Sequence, residues 1–413
     1  MNKSFCMLPW VHIAVDPNGD IKPCCISSAT VDKLDGTPYN LGTDKLSEII
    51  NSDGYKSIRS DMLDGKLVEG CGECYKQEQH GTSYRNIYNN YWLKNASARK
   101  KLAAGITIPE TVEYFDLRFG NLCNLKCKSC NTTNSSQFQK EVFEIQETNP
   151  AIGNYINMIR HDDINDWYNT DMFMKNIKSQ TDNILEIYIT GGEPTIIDKN
   201  YEMLEYLIEQ DKAKNISLKL NTNMTNVQDI FLNMISQFKQ VIFFASIDGF
   251  GLMQEYIRYP SNWEQIDKNL HKLVEKTKDN ITINVSPVIQ STNLGLITDL
   301  FEYLEKFNRT HNSTIVAIHP IILYGPPQLD LLYLPINYKK ECWDRIEQWL
   351  EKSCTFQPLE FHTKMDAIKN KCLIDIDGEE QMSRFMEFNN MFDSHRGVSL
   401  HDVNPELYEI LNK

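Results

Sequence analysis

From residue 112 to about residue 323 the apolar positions switch repeatedly between two periods. Short apolar or alternating runs at 112–119, 184–190, 216–222, 241–247, 281–289 and 314–323 predict strands. Between them, 201–209, 230–238, 266–276 and 296–307 carry apolar residues three and four apart, the spacing of amphipathic helices. Repeated strand–helix units predict a parallel sheet with helices outside it. The class is α/β, and about six units suit a partial (β/α)6 TIM-like barrel rather than a closed eight-unit one. In either geometry the functional end lies at the carboxyl ends of the strands.

The flanks have a different texture. Residues 1–99 form a small loop-rich unit, in which Val11, Ile13 and Val15 alternate as on a strand and Asp16-Pro-Asn-Gly19 supplies a turn. Residues 46–62 have helical spacing interrupted at Gly54, and residues 100–110 read as a linker. The barrel-like core takes 111–328, and 329–413 return to helical patterns, clearest at 337–350 and 379–392. An insertion at 141–183, carrying Trp167, Tyr168, Phe173 and Met174, is too long for an ordinary connection and predicts a lid or substrate contact.

Charge narrows the partners. With 42 basic and 56 acidic residues the net charge is −14, which argues against an extended nucleic-acid groove. No apolar stretch approaches the roughly 18–20 residues that span a bilayer, and the first ten residues lack a signal-peptide pattern. The expectation is a cytoplasmic protein with no membrane and no nucleic-acid partner. In that compartment thiols stay reduced, so the eleven cysteines are not read as disulfides. Cys342, Cys354 and Cys372 lie far apart in the tail and read as small buried hydrophobes. The other eight crowd into the first third of the chain, which points to metal.

Three of those eight, Cys123, Cys127 and Cys130, follow the first core strand at C-x3-C-x2-C spacing. A structural zinc site and an electron-carrying iron–sulfur cube both take four protein ligands. Three thiols leave one iron of a 4Fe–4S cube open to a small molecule. The next strand ends in Gly191-Gly192-Glu193-Pro194, where two glycines let a ligand approach the backbone closely. The third ends in Asn221-Thr222-Asn223. The fourth ends in Ser246-Ile247-Asp248, whose hydroxyl and carboxylate alternate onto one side and suit a ribose diol. Read singly, Gly-Gly-Glu-Pro and Asp-Gly are turn chemistry. Arg118, Asn223, Arg258, His319 and Tyr324 also sit near strand ends. They are weak candidates for substrate or carboxylate contacts, and no general acid or base is assigned.

A second thiol set lies ahead of the core. Cys6 enters the predicted hairpin, Cys24 leaves it, and Cys71-Gly-Glu-Cys74 opens a helix, so four thiols can meet at one site. Cys25 reads as a neighbour rather than a ligand. His12 and His80 lie near, but four thiols already complete a tetrahedral set. Ligand count alone leaves structural zinc and a second 4Fe–4S cluster both open.

Taken together, the three cysteines, Gly191–Pro194 and Ser246-x-Asp248 resemble the radical S-adenosylmethionine (radical SAM) superfamily over about residues 112–325. The resemblance implies that Cys123, Cys127 and Cys130 hold a 4Fe–4S cluster whose free iron chelates SAM. It also implies that Gly191, Gly192, Glu193 and Pro194 receive the methionine amino group and that Ser246 and Asp248 contact the ribose. Asn221 is counted with them as a cofactor contact. One departure is Ser129, where an aromatic residue is frequent. The amino-terminal pattern C-x12-G-x4-C with C-x2-C is similar to the truncated SPASM, or twitch, module, here ahead of the core as in N-terminal-twitch radical SAM proteins. That similarity implies an auxiliary 4Fe–4S cluster on Cys6, Cys24, Cys71 and Cys74. The implied activity is reductive cleavage of SAM to a 5′-deoxyadenosyl radical that takes hydrogen from a peptide or small polar substrate, fed by a low-potential donor such as flavodoxin or ferredoxin. The competing expectation is a non-catalytic, zinc-stabilised binding or scaffold protein.

Overall fold

The computed structural model describes residues 3–78, 83–160, 164, 166–276, 279–311, 316–323, 325–353 and 359–412. His80, Tyr324 and Cys354 lie outside the described residues. Contacts divide the chain into two compact units, 1–122 with 162–220 and 237–240, and 123–161 with 221–236 and 241–413.

The first unit is built on a hairpin and three core strands. β1 (His12–Val15) and β2 (Ile21–Lys22) pair antiparallel. Asp16 Oδ1 accepts from the Asn18 and Asp20 backbone N–H groups at 2.8 and 3.2 Å, and Gly19 takes the positive φ that the turn requires. β3 (Tyr114–Arg118), β4 (Glu186–Thr190) and β5 (Ser217–Thr222) run parallel, as their apolar patterns predict. Unforeseen is the other edge of β3, where β1 pairs parallel with it, His12 facing Tyr114 and Ala14 facing Asp116. The amino-terminal hairpin therefore extends the core sheet. Phe115, Leu117, Ile187, Ile189, Leu218 and Leu220 fill one face.

Aromatics of the 141–183 insertion that fall in this unit do not form a lid. Trp167 stacks on Phe119 at 5.6 Å and Phe173 meets it edge-on at 5.3 Å. Trp167 Nε1 donates to the Pro17 carbonyl at 3.0 Å. Apolar area this large is more stable in a core than on a gate exposed to water.

The second unit carries β6 (Gln240–Ala245), β7 (Ile281–Val285) and β9 (Val316–Ile318), parallel in that order, and a separate parallel pair, β8 (Val288–Ile289) with β10 (Ile321–Ile322). The predicted strand 281–289 is thus two pieces. Helices Trp263–Lys276 and Ile297–Thr310 cover this sheet, burying Ile266, Leu270, Leu273, Leu300, Phe301 and Leu304. The tail folds as Ile336–Ser353, Leu359–Cys372 and Glu379–Arg396, with Cys342 and Cys372 fully buried. The fold is α/β and mostly parallel, and among the described residues the sheet stays open, as a partial barrel requires. Among the described residues no helix is long and apolar enough to cross a membrane.

Candidate metal centres and cofactor site

The loop Cys123–Cys130 is held by backbone bonds rather than by regular structure. Lys126 N–H donates to the Tyr259 carbonyl at 2.7 Å and Lys128 N–H to that of Ile257 at 3.1 Å. Cys123 N–H donates to Ser136 Oγ at 3.3 Å, and Ser135 Oγ donates to the Leu125 carbonyl while capping the helix Ser136–Thr148. The thiols fall together: burial pushes Cys130 up, and the nearby Cys127 and Cys123 push it further. Such a set disfavours three thiolates until a cation neutralises them. Three half-buried or buried sulfurs on one fixed loop fit an iron–sulfur cluster with one iron unclaimed by this loop.

Arg258, only a weak candidate from sequence, faces this loop. Its Nε donates to Asp248 Oδ2 at 2.8 Å and one terminal nitrogen stands 3.8 Å from Cys127 Sγ. Asp248 is fully buried, and its other oxygen accepts from the Val288 backbone N–H at 2.8 Å. Each carboxylate oxygen thus accepts one bond, which fixes the orientation of the group and leaves a second lone pair on each oxygen. β6 stops at Ala245, and Ser246 beyond it is half-buried. Asn223 turns to the cysteine loop, donating to Asn124 Oδ1 at 2.8 Å and accepting from the Thr225 backbone N–H at 3.0 Å. Asn221 is half-buried, and His319 lies 3.6 Å from Glu360.

In the first unit Gly191 and Gly192 both have positive φ. A Cβ on Gly192 would stand 2.2 Å from the Leu122 carbonyl oxygen, so only glycine fits. Glu193 N–H donates to that same carbonyl at 2.9 Å. The buried Glu193 carboxylate accepts from Thr195 N–H and Oγ1 at 3.1 and 2.7 Å, and Asn200 holds the Pro194 carbonyl at 2.9 Å. The Gly191–Pro194 turn thus wraps Leu122, the residue immediately before Cys123.

Cys6, Cys24, Cys71 and Cys74 line one small cavity, which Cys25, Arg85 and Tyr88 also border. Burial raises the Cys6 thiol well above its ordinary range, and Cys24, Cys71 and Cys74 add to the rise. Burial also lifts Cys24 to about 11 and Cys71 to about 12. An all-thiol, mutually repelling set around a cavity fits a four-ligand cluster. Among the described residues no group of three or more Cys, His, Asp or Glu is gathered tightly enough to hold a single metal ion. Arg85, which sequence reasoning missed, is buried beside these thiols; it is paired with Glu78 and has one terminal nitrogen without an acceptor. His12 is buried against Tyr114 at 4.3 Å, and burial lowers its imidazole to about 3.

Cys25 leads to a further group. Asp116, on β3, is fully buried beside it, and the Cys25 thiol is the hydrogen-bonding group that reaches its carboxylate. Arg118 Nε is 4.0 Å away, within ion-pair reach but too far for a hydrogen bond. Burial lifts the Asp116 carboxyl to about 6 against the pull of Arg118. An acidic residue inside a predicted core strand was the only signal for it in the sequence.

The two thiol sets lie in two segments that match known families. Residues 117–304 match the family described as the radical SAM superfamily, and residues 6–75 match SPASM, an iron–sulfur cluster-binding domain. No curated protein matches the chain. Among solved structures, native anSMEcpe with bound AdoMet is 14% identical, with 59% of this chain and 62% of that one covered and a TM-score of 0.33. SuiB from Streptococcus suis is 14% identical, with 82% and 68% covered and a TM-score of 0.36. The chain spans 62% of the length of the anSMEcpe structure it matches. The chain thus carries a match to the radical SAM superfamily over residues 117–304 and, ahead of it, a match to the SPASM iron–sulfur cluster-binding domain over residues 6–75.

Proposed function

We propose that the chain is a radical SAM enzyme with two 4Fe–4S clusters, acting on a peptide or a small polar substrate, with dehydrogenation the preferred outcome. The carrying observation is the Cys123–Cys130 loop, with Cys123 and Cys127 close to Cys130 on a backbone fixed by Ile257, Tyr259 and Ser136. When bound there, a reduced cluster with an open iron supplies the low-potential electron that cleaves SAM to methionine and a 5′-deoxyadenosyl radical. This chain's residues then bind and orient. Cys123, Cys127 and Cys130 hold the cluster, and the Gly191–Pro194 turn offers backbone groups to the methionine amino end of SAM.

Ser246 and Asp248 contact the ribose in this reading, with Asn221 a further polar side chain for the nucleoside. Arg258, steadied by Asp248, places a fixed positive charge beside Cys127. Cys6, Cys24, Cys71 and Cys74 hold the auxiliary cluster, for which four protein ligands suit electron transfer rather than substrate binding. In this reading 1–99 is the auxiliary domain, 111–328 the core and 329–413 an extension, and the electron donor is a flavodoxin or ferredoxin.

Anaerobic reconstitution tests this directly. About eight irons per chain are expected, falling to about four when Cys6, Cys24, Cys71 and Cys74 are all alanine, with 5′-deoxyadenosine formed from SAM and dithionite. About four irons in the parent protein with no loss in that variant would sink the second cluster. Zinc in place of iron, with no 5′-deoxyadenosine, would establish the scaffold reading instead.

A further inference from the structure

The carboxyl-terminal extension reaches the SAM-cluster loop through two buried cations. Lys128, between Cys127 and Cys130, is almost wholly buried, and its Nζ donates to Asp393 Oδ1 at 2.6 Å and Asn389 Oδ1 at 3.0 Å. The same ammonium lies 3.7 Å from the centre of the Tyr256 ring, whose hydroxyl donates to Asp393 Oδ2 at 3.0 Å. Asp393 also accepts from the Leu400 backbone N–H at 2.9 Å. One turn further along, Arg396 donates to the carbonyl of Lys126, the residue before Cys127. Its guanidinium is paired with Glu141, Nε to Oε1 at 2.9 Å and a terminal nitrogen to Oε2 at 2.6 Å, and both side chains are fully buried. The other terminal nitrogen of Arg396 is buried without an acceptor.

Stability alone does not account for this arrangement. Buried ion pairs contribute little net stability compared with apolar residues of similar volume, because desolvation offsets their attraction. Here three polar residues of one helix, Asn389, Asp393 and Arg396, converge on the two residues that flank Cys127. A loop with few internal bonds gains a fixed backbone from outside, as metal ligands generally do from the groups behind them. We propose that the helix Glu379–Arg396 is a clamp on the Cys123–Cys130 loop, with Lys128 and Arg396 as positioning residues that keep its three thiols at cluster spacing. This rests on the assignment of those thiols as cluster ligands, and it makes the extension part of the cluster site.

Two paired replacements test it without stranding a buried charge: Arg396→Met with Glu141→Met, and Lys128→Met with Asp393→Asn, whose amide oxygen still accepts from the Leu400 N–H. In anaerobically loaded protein the readouts are the rate of iron release to EDTA and the share of the reduced-cluster EPR signal that changes on adding SAM. Thermal unfolding of the iron-free chain serves as the control. Both variants should match the parent or exceed it in Tm when iron-free, yet release the SAM-responsive cluster about 10–100-fold faster. Unchanged release and an unchanged SAM-responsive signal would overturn the clamp. Failure of both variants to fold would overturn it as well, since the network would then support the whole unit and not the loop. A parent protein with no iron loss in a Cys123/Cys127/Cys130 triple alanine variant fails earlier, at the cluster assignment.

Discussion

Replacing Asp116 by asparagine should remove a pH-dependent cost to the fold that is greatest at neutral pH. A carboxyl that ordinarily titrates at 3.8 is lifted by burial to about 6. The native state therefore holds its proton more tightly than the unfolded chain, and stability falls as pH rises between those values. Integrated over the window, the penalty is about 1 kcal/mol at pH 4.5 and about 3 kcal/mol at pH 7.5. Asparagine does not titrate and escapes it. The variant's advantage over the parent should then be about 2 kcal/mol larger at pH 7.5 than at pH 4.5, a difference of a few degrees in Tm. The comparison cancels whatever the amide itself gains or loses against Ala14, Tyr188 and Lys219, its neighbours in the same row of the sheet. Thermal unfolding of anaerobic samples at one scan rate suffices. Equal shifts at both pH values, or a greater loss at pH 7.5, would show that the carboxylate is satisfied by a donor and that its burial is not the dominant cost.

Gly192→Ala should abolish SAM binding measured by calorimetry and lower Tm. Its methyl meets the Leu122 carbonyl at 2.2 Å and its positive φ alone costs about 1–3 kcal/mol. Arg258→Met should destabilise the fold by about 3–5 kcal/mol by leaving Asp248 charged and unpaired. Adding Asp248→Asn should restore most of that loss in a double-mutant cycle of thermal unfolding. Additive losses would mean that the two side chains act independently.

Much of this was legible because it is local in sequence. The three strand-end motifs and the C-x2-C element keep their chemistry within a few residues, so spacing alone finds them. Strand periods located β3 to β6 to within a few residues, since a buried parallel strand must be apolar almost throughout. What stayed hidden depends on pairing across long stretches of chain. Nothing in 12–15 says that it will lie beside 114–117, and nothing in Lys128 names Asp393. Trp167 and Phe173 were misread for a related reason. Aromatics in a long insertion have the same composition whether they gate a site or fill a core, and only the position of Phe119 decides. The alternation of Ser246 and Asp248 was visible in the sequence, but the pairing of Asp248 with Arg258 and the Val288 amide was not.

The parallel pairing of β1 with β3 bears on how the two halves of such a chain could have been joined. β1 lies between β2 and β3, so the strand that opens the hairpin has no free edge. A chain cut at residue 99 would expose four residues of unpaired backbone along that edge, a template for aggregation. The amino-terminal segment is thus not a cassette that can be lifted out or grafted elsewhere. It shares a sheet with the strand leading to Cys123, and insertion or exchange of this segment is tolerated only where β3 goes with it.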